Sequence, residues 1–126
     1  MTRHEATPYI EHIKDAIKDI ESFTKNLSKE KFLNSKLRQN AVIRQLEVIG
    51  EATKNVPESF RKKYDKIEWR KMAGTRDKIT HHYFGIDLNA VWDMVKEDLP
   101  ILKKQIKQIL DEVKLEELKK EKSSKD

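Results

Sequence analysis

The sequence has no cysteine, which excludes a disulfide framework, a thiolate metal site and a cysteine nucleophile. It has three glycines and three prolines in 126 residues, too little punctuation for the tight turns of an all-β domain. Apolar runs such as Ala41 to Ile43 and Ile101 to Leu102 stay short, whereas a membrane-spanning helix needs about 20 consecutive apolar residues. No partner membrane is therefore expected. Met1 to Glu11 mixes Arg3, His4, Glu5 and Glu11, so no basic segment followed by an apolar one is read as a secretion signal. A cytoplasmic protein is the expectation.

What is present in quantity is charge. Charged residues make up 39% of the chain, against a usual share of roughly 25%. Lys plus Arg is 27 and Asp plus Glu is 22, a formal charge of +5, which mildly favours a polyanionic partner. Acidic and basic residues are interleaved, and the tail from Lys114 to Asp126 sets five lysines against Glu116, Glu117, Glu121 and Asp126. The length suits one domain, expected over residues 1–112, with a charged tail over 113–126 that should fray.

The fold class expected is all-α, because apolar residues recur at three- and four-residue steps and alternation of period two is hard to find. A first helix is expected from about Pro8 to Phe23, with Tyr9, Ile10, Ile13, Ile17 and Ile20 on one stripe. A loop containing Ser28, Phe32 and Asn34 then leads to a second helix from about Lys36 to Asn55, stopped by Pro57. Gly50 in its middle costs up to about 1 kcal/mol relative to alanine, which suggests close approach of another helix or a ligand contact. Pro57 to Tyr64 reads as a short helix, and a third principal helix opens at Glu68 or Trp69 and should last to Gly85. Asp87 caps a fourth, which turns Leu88, Val91, Trp92, Val95, Leu99, Leu102, Ile106 and Ile109 inward. Pro100 should kink or divide it. The expected architecture is four principal helices plus a short one, with no sheet.

One segment departs from the pattern. On a helical wheel at about 100° per residue, Trp69, Met72, Ala73, Ile79 and Tyr83 all fall within about 60° of Arg76. An arginine thus occupies the centre of an apolar stripe, where an unpartnered guanidinium would cost several kcal/mol. It must meet an acceptor, such as Glu47 or Glu51, or face a cleft or subunit interface. His81 falls roughly 140° from Arg76 on the same wheel, so a straight helix would not aim both at one ligand; unwinding near Gly85 or a second copy of the chain would be needed. His exchanges protons near neutral pH and Arg can grip phosphate oxygens with two parallel hydrogen bonds. That pair suits phosphodiester chemistry, although His81 and His82 could also be a simple helix cap.

Other signatures are missing: no Gly-rich phosphate loop, no His-Glu-x-x-His helix and no Gly-x-Ser-x-Gly turn. His4 and His12 make a poor metal pair. Neither a metal nor another cofactor is expected.

Arg76, four residues, His81, one residue and Tyr83 resemble the motif of the HEPN superfamily, and more closely that of the HepT-like toxins of prokaryotic toxin and antitoxin pairs. The likeness extends, in the family's order, through Asn40 to Ala52, Ile67 to Gly74, His82 to Asp87, Val91-Trp92 and Glu97 to Pro100. It covers about Tyr9 to Leu110. One departure is Asp77, where the family often has Asn; a carboxylate there could repel an RNA phosphate.

The resemblance implies a HEPN-type helical bundle that forms a homodimer, with Arg76 and His81 of both copies lining a cleft. It also implies metal-independent endoribonuclease activity on RNA, with attack by the ribose 2′-hydroxyl. His81 would act as general base or acid, and Arg76 would stabilise the charge of the phosphorane-like state. Tyr83 would position the phosphate, and is where a minimal nucleotidyltransferase antitoxin would attach AMP to neutralise the toxin. Asp77, His82 and Glu51 are secondary site candidates. The alternative is a non-catalytic HEPN dimer that binds nucleotide or the nucleotidyltransferase partner.

Overall fold

The computed structural model describes residues 3–81 and 85–125. In chain order the elements are α1 (Arg3–Thr24), α2 (Lys29–Leu33), α3 (Lys36–Asn55), α4 (Glu58–Lys63), α5 (Trp69–Ala73) and α6 (Thr75–Ile79). They continue with strands β1 (Thr80–His81) and β2 (Gly85–Ile86), α7 (Leu88–Asp93), a π-turn (Met94–Asp98) and α8 (Leu99–Lys125). The all-α class holds. The expectation of no sheet is modified by one antiparallel ribbon, two residues per strand, with Thr80 opposite Ile86 and His81 opposite Gly85.

Periodic stripes build the core. Ile10, Ile13, Ile17 and Ile20 of α1 are buried against Val42, Leu46 and Ile49 of α3, the closest-packed pair of helices, and α8 covers them with Leu102, Ile106 and Ile109. Burying one such side chain fully contributes about 1.5–3 kcal/mol, so these three stripes dominate the stability. Thr24 and Thr53, buried among them, satisfy their hydroxyls by donating to the carbonyls of Ile20 and Ile49.

The second helix matches its expected bounds because its ends are chemically marked. The Ser35 hydroxyl accepts from the Arg38 amide at the start. At the end, ahead of Pro57, the Arg61 guanidinium donates to the last carbonyls, those of Thr53 and Val56. Gly50 faces another helix, as expected, but is not crowded by it: a Cβ there would lie at an ordinary contact distance, 3.5 Å, from the Met72 carbonyl oxygen at the end of α5.

Several expectations are corrected. The first helix starts at Arg3 and takes Pro8 into its interior, near the open end, where a proline lacking its N–H leaves a single carbonyl unserved. The stretch around Phe32, expected as a loop, is the short helix α2, capped by the Ser28 hydroxyl and pinned by a fully buried Phe32 ring against Trp92. Pro100 neither kinks nor divides the fourth helix at its own position. The chain widens one turn earlier into a π-turn, in which the Leu99 amide bonds five residues back to Met94, and the wider turn accommodates a proline that donates nothing. Helix α8 runs on to Lys125, with Val113 buried.

Candidate functional site

The third principal helix is the largest correction, and it determines the site. Instead of running to Gly85 it breaks at Gly74 and ends at Ile79. At the break the Thr75 hydroxyl takes the Met72 carbonyl at 2.6 Å, and the Gly74 amide closes on Arg70 at 3.0 Å. That carbonyl is the one a continuous helix would have given to the Arg76 amide. The interruption turns α6 so that Thr75 and Ile79 are buried while Arg76 is exposed. The guanidinium therefore does not lie in an apolar stripe, and the desolvation cost inferred from a straight wheel does not arise.

Neither proposed acceptor meets it. Glu47 pairs with Arg44 at 3.9 Å and Glu51 with Lys54 at 3.5 Å, both within α3. Arg76 has no ion pair among the described residues. Glu51, a secondary candidate, is exposed and engaged with Lys54, so it is not brought to Arg76. Asp77 is exposed beside Arg76 on α6.

His81 lies in β1, in extended backbone immediately after α6. The wheel separation from Arg76 no longer applies, because no helix links the two. The ribbon is closed by Gly85, whose φ of 78° lies in the left-handed region that favours glycine, and by the Asp87 amide, which donates to the Ile79 carbonyl at 2.6 Å. Asp87 then caps α7 as expected, its carboxylate accepting from the Ala90 amide at 3.1 Å. Gly85 thus serves a strand turn rather than a helix end. The expectations for His82 and Tyr83 fall on residues outside those described.

Sequence reasoning missed the group that ties the break together. Asp98, at the end of the π-turn, forms an ion pair with Lys71 of α5 at 3.6 Å and accepts a hydrogen bond from Lys78 of α6 at 3.3 Å, one lysine on each side of Gly74. Asp98 and, second, Glu68 hold the Lys71 pKa above its ordinary value of 10.5. No local pattern marked it, since both lysines are twenty or more residues away in the chain. A cavity of about 300 Å³ opens under these bridges, lined by Leu46, Ile49, Met72, Met94 and Leu102. Among the described residues no group of three or more His, Asp or Glu could hold a metal ion, and no helix is long and apolar enough to cross a membrane.

A short helix presenting an exposed arginine, followed at once by a histidine-bearing ribbon, sits on a three-stripe helical bundle. Comparison with known proteins places that arrangement in a family. Residues 13–109 match the model of the family described as "Ribonuclease HepT-like", and the chain belongs to that family of the HEPN superfamily. It is 52% identical over 95 residues to a "Probable ribonuclease HepT" of Thermococcus cleftensis, covering 75% of this chain and 86% of that protein. It is 42% identical over 117 residues to a "Putative RNase" of Methanocaldococcus jannaschii, covering 93% and 97% of the two chains. A longer protein of the same organism, "Gamma-glutamylcyclotransferase and putative RNase", is 44% identical over 111 residues; these are 88% of this chain and 50% of that protein, so the chain spans half its length. No solved structure matches significantly.

Proposed function

We propose that the chain is a metal-independent endoribonuclease, the toxin of a toxin and antitoxin pair, acting as a homodimer with Arg76 and His81 at its centre. The observation that carries this reading is the exposed guanidinium of Arg76, without an ion pair among the described residues, one short element ahead of His81. Membership of the ribonuclease family supports it.

In the reaction the ribose 2′-oxygen attacks the adjacent phosphorus, and the bond from phosphorus to the 5′-oxygen breaks. The products are a 2′,3′-cyclic phosphate and a 5′-hydroxyl. His81 takes the proton of the 2′-hydroxyl or gives one to the departing 5′-oxygen, and in a homodimer two copies of His81 can divide those tasks. Arg76 pairs with the non-bridging oxygens as charge grows on them. Tyr83 is the proposed point of control: a nucleotidyltransferase antitoxin would attach AMP there, and the added phosphate would occupy Arg76 and repel RNA.

The test is incubation of purified protein with end-labelled RNA in EDTA, with product ends identified by mass spectrometry. Cleavage to cyclic-phosphate ends, abolished in His81→Ala, is the expected result; undiminished cleavage by that variant refutes the assignment. Coexpression with a minimal nucleotidyltransferase should place AMP on Tyr83 and not on a Tyr83→Phe chain. AMP on another residue, or none, removes the regulatory part.

A second reading is favoured by Asp77, whose exposed carboxylate adjoins Arg76 and would oppose an approaching phosphate. Here the chain is a non-catalytic module that binds nucleotide or the nucleotidyltransferase. Wild-type protein that binds AMP but leaves RNA intact would establish it, and Asp77→Asn would then be expected to change binding rather than cleavage.

A further inference from the structure

A groove of about 540 Å³ runs between the C-terminal end of α1 and the start of α8. Its floor is apolar, built on the buried side chains of Ile17, Ile20 and Leu99. Its rim carries Lys25 from the turn after α1, Lys96 from the π-turn, and Lys103, Lys104 and Lys107 from α8, against a single carboxylate, Glu21. The groove thus concentrates a formal +4 in a chain whose net charge is +5.

These lysines lack the pairing within one helix that some others have. Lys54, Lys62 and Lys71 each face a glutamate three or four residues away on their own helix, or at its start. In the groove Lys103 reaches Glu21 at 2.8 Å and Lys96 lies 4.7 Å from the Trp92 ring centre. Lys25, Lys104 and Lys107 have no ion-pair partner among the described residues. Lys103 and Lys107 are four residues apart and Lys104 and Lys107 three, spacings at which like charges on a helix repel. An unbalanced row that slightly weakens its own helix is accounted for by an external polyanion.

From Lys96 to Lys107 the row follows roughly 16 Å of helix axis, which matches a ligand whose negative charges repeat along a strand better than a single anion. The other polar side chains lining it are Asn26 and a buried Thr24 whose hydroxyl donates to the Ile20 carbonyl, too few to read base edges. We propose that this groove is a sequence-tolerant binding track for the phosphate backbone of single-stranded RNA, separate from Arg76 and His81, which holds the substrate while the site acts. The proposal rests on the ribonuclease reading for its choice of ligand.

The experiment measures binding rather than cleavage. A fluorescent oligouridylate of about 20 nucleotides is titrated in EDTA with His81→Ala protein, and with the same protein carrying Lys104→Gln and Lys107→Gln, from ~50 to ~200 mM salt. Removing two phosphate contacts should lower the slope of log affinity against log salt by about 1.4, and weaken binding about tenfold or more at ~0.1 M salt. Both lysines are exposed, and circular dichroism checks that the fold is retained. Affinity within twofold with an unchanged slope overturns the proposal. So does polyglutamate that displaces the RNA at equal charge, which would make the groove a seat for an acidic protein. A wild-type chain that binds with the expected slope yet never cleaves would defeat the ribonuclease reading and leave the groove standing.

Discussion

The α1 and α3 pair and the stretch from Trp69 to Asp87 are made from similar residues but by opposite rules. In the pair, 22 and 20 residues form two long helices whose apolar stripes meet without interruption. In the stretch, two helices of five residues each and a ribbon of two-residue strands succeed one another, held by a hydroxyl, a glycine and a few backbone bonds. The long helices bury their apolar stripes, whereas the broken stretch leaves Arg76 in solvent. On the proposed function, stability and chemistry fall to different parts of a small domain, as expected where binding groups need exposure that a core cannot give.

The sharpest way to break that division is to damage the long pair. Ile13, fully buried in α1, should cost about 2–5 kcal/mol when truncated to alanine, read as a shift of the urea midpoint. The folded fraction should retain its RNA-binding slope. A loss below about 1 kcal/mol would mean that the pair can collapse around the gap, contrary to close packing.

Asp87→Ala addresses the other region. It removes the carboxylate that caps α7 and should cost about 1 kcal/mol, while the backbone bond from residue 87 to Ile79 remains. Because that cap anchors the end of the ribbon bearing His81, cleavage should fall further than the stability loss alone requires. Equal effects on both would indicate a purely structural cap.

Gly50→Ala probes the place where the two regions touch. The new methyl would lie 3.5 Å and 3.8 Å from the Met72 and Ala73 carbonyl oxygens, ordinary contact distances. A gain of up to about 1 kcal/mol from helix propensity is expected. A loss would show that α5 sits closer to α3 than a methyl permits.

The smallest effect belongs to Asp98→Asn, because both of its lysine partners are exposed. The raised Lys71 pKa means that this ion pair's contribution is fully present below the ordinary lysine value of 10.5 and is lost as pH rises through the raised one. Wild type and variant should therefore differ slightly in Tm at neutral pH and converge in strong alkali. A difference that persists there would assign Asp98 another role.

The same contrast accounts for what the sequence made legible. Lys36 to Asn55 was readable to the residue because its stripe is long and its ends carry Ser35 and Pro57. Phe32 was not placed in a helix, since five residues are too few to show a period. Arg76 and His81 stood out as candidates by residue type and by the family likeness. Their relation was misread because a wheel drawn from Trp69 to Phe84 assumes continuity that Gly74 denies. The cue was there: Ile79-Thr80 and Tyr83-Phe84 flank the histidines with β-branched and aromatic residues ahead of Gly85, a strand-turn composition. Asp98 was out of reach, since its partners are twenty and more residues away and depend on how the π-turn aims it.

The most direct measurement is a paired one on Arg76→Ala: thermal unfolding and RNA cleavage of the same preparation. An exposed arginine without an ion pair among the described residues should leave Tm nearly unchanged, since such surface changes stay within about 0.5 kcal/mol. Cleavage should fall by about 10²–10³, the usual effect of removing one group that stabilises transition-state charge. A large fall in Tm, or cleavage that survives, would contradict the separation of the folding stripes from the broken segment that carries the chemistry.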